Sequence, residues 1–131
     1  MKKNNNCPCG SGIPFGECCE PYILGSLSAE DPERLLRSRF SAYTTKNVPY
    51  IYATWHEKYR PVESQEDFLA SLKNISFTRL VIESKKLQGD KATIIYRAFC
   101  KKVLKNCQIR EKANFVFENG HWLYTDGTML K

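Results

Sequence analysis

Four of the six cysteines, Cys7, Cys9, Cys18 and Cys19, stand within thirteen residues of one another near the N-terminus. Thiols at this density hold a metal, cross-link or exchange electrons. Four thiolates can complete a closed tetrahedral zinc cage, with Zn–S bonds near ~2.3 Å. One residue separates Cys7 from Cys9, eight separate Cys9 from Cys18, and Cys18 and Cys19 are adjacent. That spacing departs from the Cys-x-x-Cys knuckle, so a local bend must turn both Cys18 and Cys19 toward one ion. The same departure removes the thioredoxin-type dithiol signature. Gly10, Gly12 and Gly16 permit tight turns, and Pro8, Pro14 and Pro21 restrict the unfolded chain. So short a segment has almost no core, and a metal would supply its folding energy, roughly 10–16 kcal/mol in zinc-finger peptides. On spacing alone, a redox pair or a site of three cysteines plus another ligand stays open.

The 131 residues suit one compact unit with a small appendage, large enough to do without disulfides. No apolar segment follows the charged start of the chain, and apolar runs such as 92–96 are far too short for a membrane span. These features predict a soluble, cytoplasmic protein with no membrane association. In that reducing setting Cys100 and Cys107 are expected to be ordinary buried thiols. The net charge of +6 is uneven: residues 1–32 sum to −2 and the rest to +8. Lys85, Lys86, Lys91, Lys101, Lys102 and Lys105 could attract nucleic acid or acidic proteins. Lysines that merely solvate sheet edges and hairpin tips would read the same way.

The elements that must position these residues fall into two blocks. Asp31 as N-cap and Pro32 at the first helical position start a helix with Leu35, Leu36, Phe40 and Tyr43 on one face, ending near 45–47. Arg37 and Arg39 cannot share a face of it. A second short helix is predicted over 48–56. A third starts at Ser64, with Asp67 three residues on and Phe68, Leu69 and Leu72 as its buried stripe. After Asn74 the residues become β-branched and aromatic. Turns are expected at 88–91, at Lys105-Asn106 and, most strongly, at Asn119-Gly120. Helices followed by four antiparallel strands give an α+β fold, a helical layer on a curved sheet.

Cys7, Cys9, Ser11, Gly12, Phe15, Cys18 and Cys19 together resemble the SEC-C motif, a small zinc-binding module found at the C-terminus of the bacterial preprotein translocase ATPase and elsewhere. The resemblance implies one structural zinc per chain on Cys7, Cys9, Cys18 and Cys19. It also implies an interaction module, with Phe15 packed over the loop and the Ser11 hydroxyl turned toward backbone or sulfur. With residues 34–43, 53–56 and 115–127 the whole chain resembles the bacterial YchJ-like family. That family joins a SEC-C motif, here 1–28, to a domain similar to nuclear transport factor two, here 29–131. The fold so implied is a cone, a bent four-stranded antiparallel sheet wrapped around helices with a pocket at its wide end. Many relatives carry a second, C-terminal SEC-C motif; no cysteine follows Cys107, so contacts needing two zinc modules are not expected.

A cone can host an enzyme, a ligand pocket or a homodimer surface on its sheet, and the fold does not choose among them. His56 could serve as general base or ligand contact at the pocket mouth beside Trp55, or simply bond a carbonyl at a helix end. His121, just past a hairpin turn, is expected to be exposed. Arg37 or Arg39 could enter the cone, either to pair with Glu111 or Asp126 or to bind a carboxylate or phosphate. Tyr43, Tyr52, Trp55, Tyr96, Trp122 and Tyr124 read mainly as core, with a subset lining a pocket. The leading expectation is a non-enzymatic zinc protein that docks on a protein partner of the translation or secretion machinery. The alternatives are an enzyme or small-ligand binder using the cone, and an RNA-associated protein using the lysines.

Overall fold

In the computed structural model, which describes residues 2–131, the cysteine-rich loop is followed by four helices and a four-stranded sheet. Helix α1 spans Glu20–Ile23, α2 Pro32–Thr44, α3 Val48–Ala53 and α4 Gln65–Ser71. The strands are β1 Ile75–Gln88, β2 Lys91–Lys102, β3 Lys105–Glu118 and β4 His121–Met129, in the antiparallel order β1-β2-β3-β4. No helix among the described residues is long and apolar enough to cross a membrane.

The helix boundaries follow local chemistry. The Asp31 carboxylate accepts from Glu33 N–H at 2.6 Å, and Ser64 caps α4 by accepting from Asp67 N–H at 3.1 Å. Helix α2 ends in a Schellman arrangement, Asn47 N–H donating to Ala42 C=O and Lys46 N–H to Tyr43 C=O, with Lys46 at φ 60°. Asn47 then caps α3 through Tyr50 N–H. Helix α3 stops at Ala53, short of the predicted His56. Trp55 instead pairs in parallel with Tyr124, which covers the edge of β4.

Bulges bend the sheet. The register slips between Phe77 and Arg79, between Ile82 and Ser84, and between Ala113 and Phe115. The Asn119-Gly120 turn forms as predicted, with both residues at positive φ as a type I′ turn requires. The β2–β3 turn lies at Val103-Leu104, two residues before the predicted Lys105-Asn106, because Lys102 already pairs with Lys105. Cys100 and Cys107 face each other in that ladder, Cα atoms 5.0 Å apart, and are bonded rather than free as expected. The expectation weighed the compartment and not the register, which brings the two side chains together.

Leu35 and Leu36 of α2 pack on Ile94, Ala113, Phe115 and Trp122 of the sheet. Ala42, Val48, Ile51, Tyr52, Phe68 and Leu72 form a second cluster. Leu69, predicted in the buried stripe, is exposed, since α4 is short and only Phe68 and Leu72 face inward.

Candidate functional site

The cysteine loop is a miniature hairpin. Asn6 and Pro14 form an isolated bridge, and Cys7 N–H donates to Ile13 C=O at 2.9 Å. Gly10 and Gly12 sit at φ 83° and 82°, where side chains are strained, and turn the chain between Cys9 and Phe15. A single helical turn at Phe15–Glu17 leads to Cys18, whose φ −114° and ψ −93° supply the bend needed before Cys19. All four sulfurs lie within 4.8 Å of one another and all four residues are buried. Cys9 and Cys18 Sγ are 3.6 Å apart, Cys18 and Cys19 Sγ 3.9 Å. A tetrahedron with metal–sulfur bonds of ~2.3 Å has sulfur–sulfur edges of about 3.8 Å. The four thiols fit a metal.

Helix α2 supplies the surroundings of this cage. Arg34 donates from Nη2 to Cys18 Sγ at 3.3 Å and to Cys18 C=O at 3.2 Å. Arg37 Nη1 donates to Cys9 C=O at 2.7 Å while its Nε donates to Glu33. The hydroxyls of Ser41 and Ser11 lie 3.4 and 3.1 Å from Cys7 and Cys18 Sγ. Four thiolates around a divalent ion carry a net −2, and the two guanidiniums offset it. The same crowding splits the thiols. Hydrogen bonds from Cys19 and Cys7 pull Cys9 far down, while those to Cys7 and Cys9, with burial, push Cys19 far up. A cation would release the protons the cage otherwise keeps.

Arg37 therefore belongs to the cysteine loop and not to the cone pocket for which it was a candidate; being on the opposite face from Arg39, it points the other way. Arg39 does enter the cone. It is only 5% exposed and lines a cavity of about 200 Å³ with Tyr43, Trp55, Tyr96, Glu111 and Tyr124. Its guanidinium lies over the Tyr124 and Trp55 rings, 4.7 and 5.2 Å from their centroids. Nη1 donates to Ile51 C=O at 2.8 Å and to Thr54 Oγ1 at 2.7 Å.

No carboxylate oxygen among the described residues lies within 4.0 Å of Arg39, so the expected pairing with Glu111 or Asp126 does not form. Glu111 is buried and accepts from Tyr96 and Tyr124 hydroxyls, each at 2.5 Å. Burial, and then the Glu111 charge, raise both phenols well above their ordinary range, so they remain protonated donors. Asp126 accepts from Asn114 Nδ2 at 3.0 Å. The room for Glu111 comes from Gly127, where a Cβ would sit 2.0 Å from Glu111 Oε2. A lone glycine in a strand hints at a close approach, but what approaches is visible only across the ladder.

His56 lies outside this cavity, lining a separate groove with Lys58, Tyr59 and Glu118. Its Nδ1 accepts from Lys58 N–H at 3.1 Å, so the ring proton sits on Nε2, which donates to Glu118 Oε2 at 2.8 Å. Both nitrogens are engaged, and no lone pair is left for a general base. The Glu118 partner is 62 residues away in sequence, which hid it. Trp55 donates to Thr125 C=O. His121 is half-buried at the start of β4 and lines neither the cavity nor the groove.

A four-thiol cage fixed to a cone of bent antiparallel sheet and helices defines a SEC-C motif protein with a domain of the nuclear transport factor two-like fold. Residues 4–21 match the SEC-C motif, and residues 31–127 match the middle NTF2-like domain of YchJ. The chain belongs to the YchJ (UPF0225) family. A UPF0225 protein of Serratia proteamaculans is 35% identical over 127 residues, spanning 93% of this chain and 82% of the relative. The UPF0225 protein YchJ of Shigella dysenteriae is 33% identical over 125 residues, with the same coverage. The solution structure of a SEC-C motif containing protein from Rhodopseudomonas palustris superposes with a TM-score of 0.88 at 27% identity, covering 97% of this chain and all of that one. A sec-c motif containing protein from Psychrobacter arcticus, 21% identical, shares the fold with a TM-score of 0.84 over 98% of this chain and 85% of its own.

Proposed function

We propose that this protein is a non-catalytic zinc protein whose cone binds a small molecule. The metal is structural: the sulfur spacing fits zinc, and all four positions of the tetrahedron are taken by thiolates, leaving none for water or substrate. It ties the N-terminal loop to α2 through Arg34, Arg37 and Ser41. The observation that carries the ligand reading is Arg39, a buried guanidinium beside an apolar cavity, held from one end and free at the other. Two measurements test it. Protein purified in reducing, chelator-free buffer should hold about one zinc per chain, lost in Cys18→Ser and Cys19→Ser. A thermal-shift screen of small metabolites should find compounds that stabilise the zinc-loaded protein and fail on Ala98→Leu, which puts a larger side chain on the cavity wall that Ala98 lines; a screen without such hits sinks the reading.

The exposed side chains of Ile13, Leu24 and Leu27 beside the closed cage favour a second reading, an adaptor whose SEC-C module docks on a protein of the translation or secretion machinery. Capture of one defined partner by the zinc-loaded protein, lost in Leu24→Asp and Leu27→Asp, would support it. The RNA reading has less behind it. Lys91 and Lys102 end the same strand, about 36 Å apart at ~3.3 Å per residue, and Lys85 is paired with Asp31 and Glu33.

A further inference from the structure

Arg39 holds its cavity ligand, we infer, through a carboxylate: the site takes a small apolar monocarboxylate, such as an arylacetate or a short fatty acid. This rests on the ligand-binding reading above and names the chemistry.

Arg39 engages protein acceptors only through Nη1. Its Nε and Nη2, the side-on edge of the guanidinium, make no hydrogen bond of normal length and angle to protein among the described residues, with the Tyr43 hydroxyl the polar group beside the guanidinium. No buried side-chain nitrogen or oxygen there lacks a partner, so this edge must reach open space, and Arg39 lines the cavity. Two parallel N–H groups on one edge match the two oxygens of a carboxylate. A cation buried this deeply is ordinarily paired with a carboxylate, and Arg39 has none within 4.0 Å. Tyr43 stands beside it: burial raises this phenol, and Arg39, by its charge and as a donor close to the hydroxyl oxygen, opposes the rise, which leaves the hydroxyl proton as a third donor.

The remaining wall selects the rest of the ligand. Leu36, Phe40, Phe77 and Leu80 line the cavity and offer no hydrogen bonds from their side chains. A volume of about 200 Å³ equals the share of about seven waters, below the range of drug-sized pockets. The Glu111 carboxyl lines the same space and offers acceptors rather than donors, so a phosphate dianion, with twice the charge of a carboxylate and more oxygens to satisfy, fits it worse. Met129 both lines the cavity and is largely exposed, so the cavity opens to solvent at the end of β4.

The test is titration of the zinc-loaded protein, followed by backbone amide NMR, with phenylacetate, hexanoate, the neutral isostere phenylacetamide and inorganic phosphate. Phenylacetate or hexanoate should shift amides around the cavity at millimolar concentration, with phenylacetamide at least tenfold weaker and phosphate without effect. Arg39→Lys, which keeps the charge but loses the fork, should weaken the carboxylate about tenfold, and Tyr43→Phe a few-fold. Ala98→Leu should abolish binding of every probe. Each variant is compared at equal zinc content and equal amide dispersion. Phenylacetamide binding as tightly as phenylacetate, phosphate displacing it, or Arg39→Lys binding unchanged would overturn the carboxylate assignment while the cavity stands, provided Ala98→Leu still blocks binding. If no probe perturbs the cavity, the carboxylate class falls; the ligand reading falls with it only if the metabolite screen is also empty.

Discussion

Gly127→Ala is expected to be among the most damaging single-methyl changes in this protein. The new Cβ would lie 2.0 Å from Glu111 Oε2 and 2.7 Å from Glu111 Cδ. Normal contact is near ~3.5 Å, so the carboxylate must retreat by about 1.5 Å. Its bonds to Tyr96 and Tyr124 are both 2.5 Å long, and a retreat of that size takes it out of reach of at least one phenol. Losing a hydrogen bond to a buried charge costs about 2 kcal/mol and the residual overpacking about 1 kcal/mol more. At roughly 2.1 cal/mol/K per residue, unfolding the 131-residue chain carries about 0.28 kcal/mol/K, so ~3 kcal/mol lowers Tm by about 11 °C. The assay is thermal unfolding by circular dichroism of Gly127→Ala, Glu111→Ala and the double variant. With the carboxylate gone the clash is gone, so Gly127→Ala should cost under about 1 kcal/mol in the Glu111→Ala background. Equal penalties in the two backgrounds, or a single-variant Tm within about 3 °C of the parent, would refute the contact as the reason for the glycine.

Three further outcomes are expected. Val103 occupies φ 58°, a region hostile to β-branched residues; Val103→Asn should stabilise the protein by about 1 kcal/mol, read as a Tm increase. Glu33 is held below its ordinary pKa by the hydrogen bond from Arg37, with Lys85 adding to it against the opposing effect of burial. Its contribution is therefore complete above the unfolded value near 4.5 and is lost as pH falls through the lower folded value. The stability gap between the parent and Glu33→Gln should close below pH 4.5, and a gap that instead widens in acid would reverse this sign. Arg34→Met removes the donor to Cys18 Sγ and should speed zinc transfer to a chromogenic chelator about tenfold, with the zinc content at rest unchanged.

The sequence by itself determined the local and periodic features. Cysteine spacing with its glycines marked one metal-competent loop, Asp31-Pro32 and Ser64 set helix starts, and Asn119-Gly120 set a hairpin, because each depends on residues adjacent in the chain, while the meeting of all four sulfurs is seen only in the structure. Helices before strands, with one apolar face on α2, were enough for the α+β class. The facing of α2 was only half legible: its period separates Arg37 from Arg39 but does not say which one meets the cysteine loop and which the cone. Tertiary structure decided that, since the loop and the sheet approach opposite sides of the helix. It also decided the partners of His56, the bond between Cys100 and Cys107, and the clasp of Glu111 by Tyr96, Tyr124 and the bare backbone of Gly127. Each depends on strand register, and register is set by bulges and turns whose effect on distant pairs no local pattern encodes.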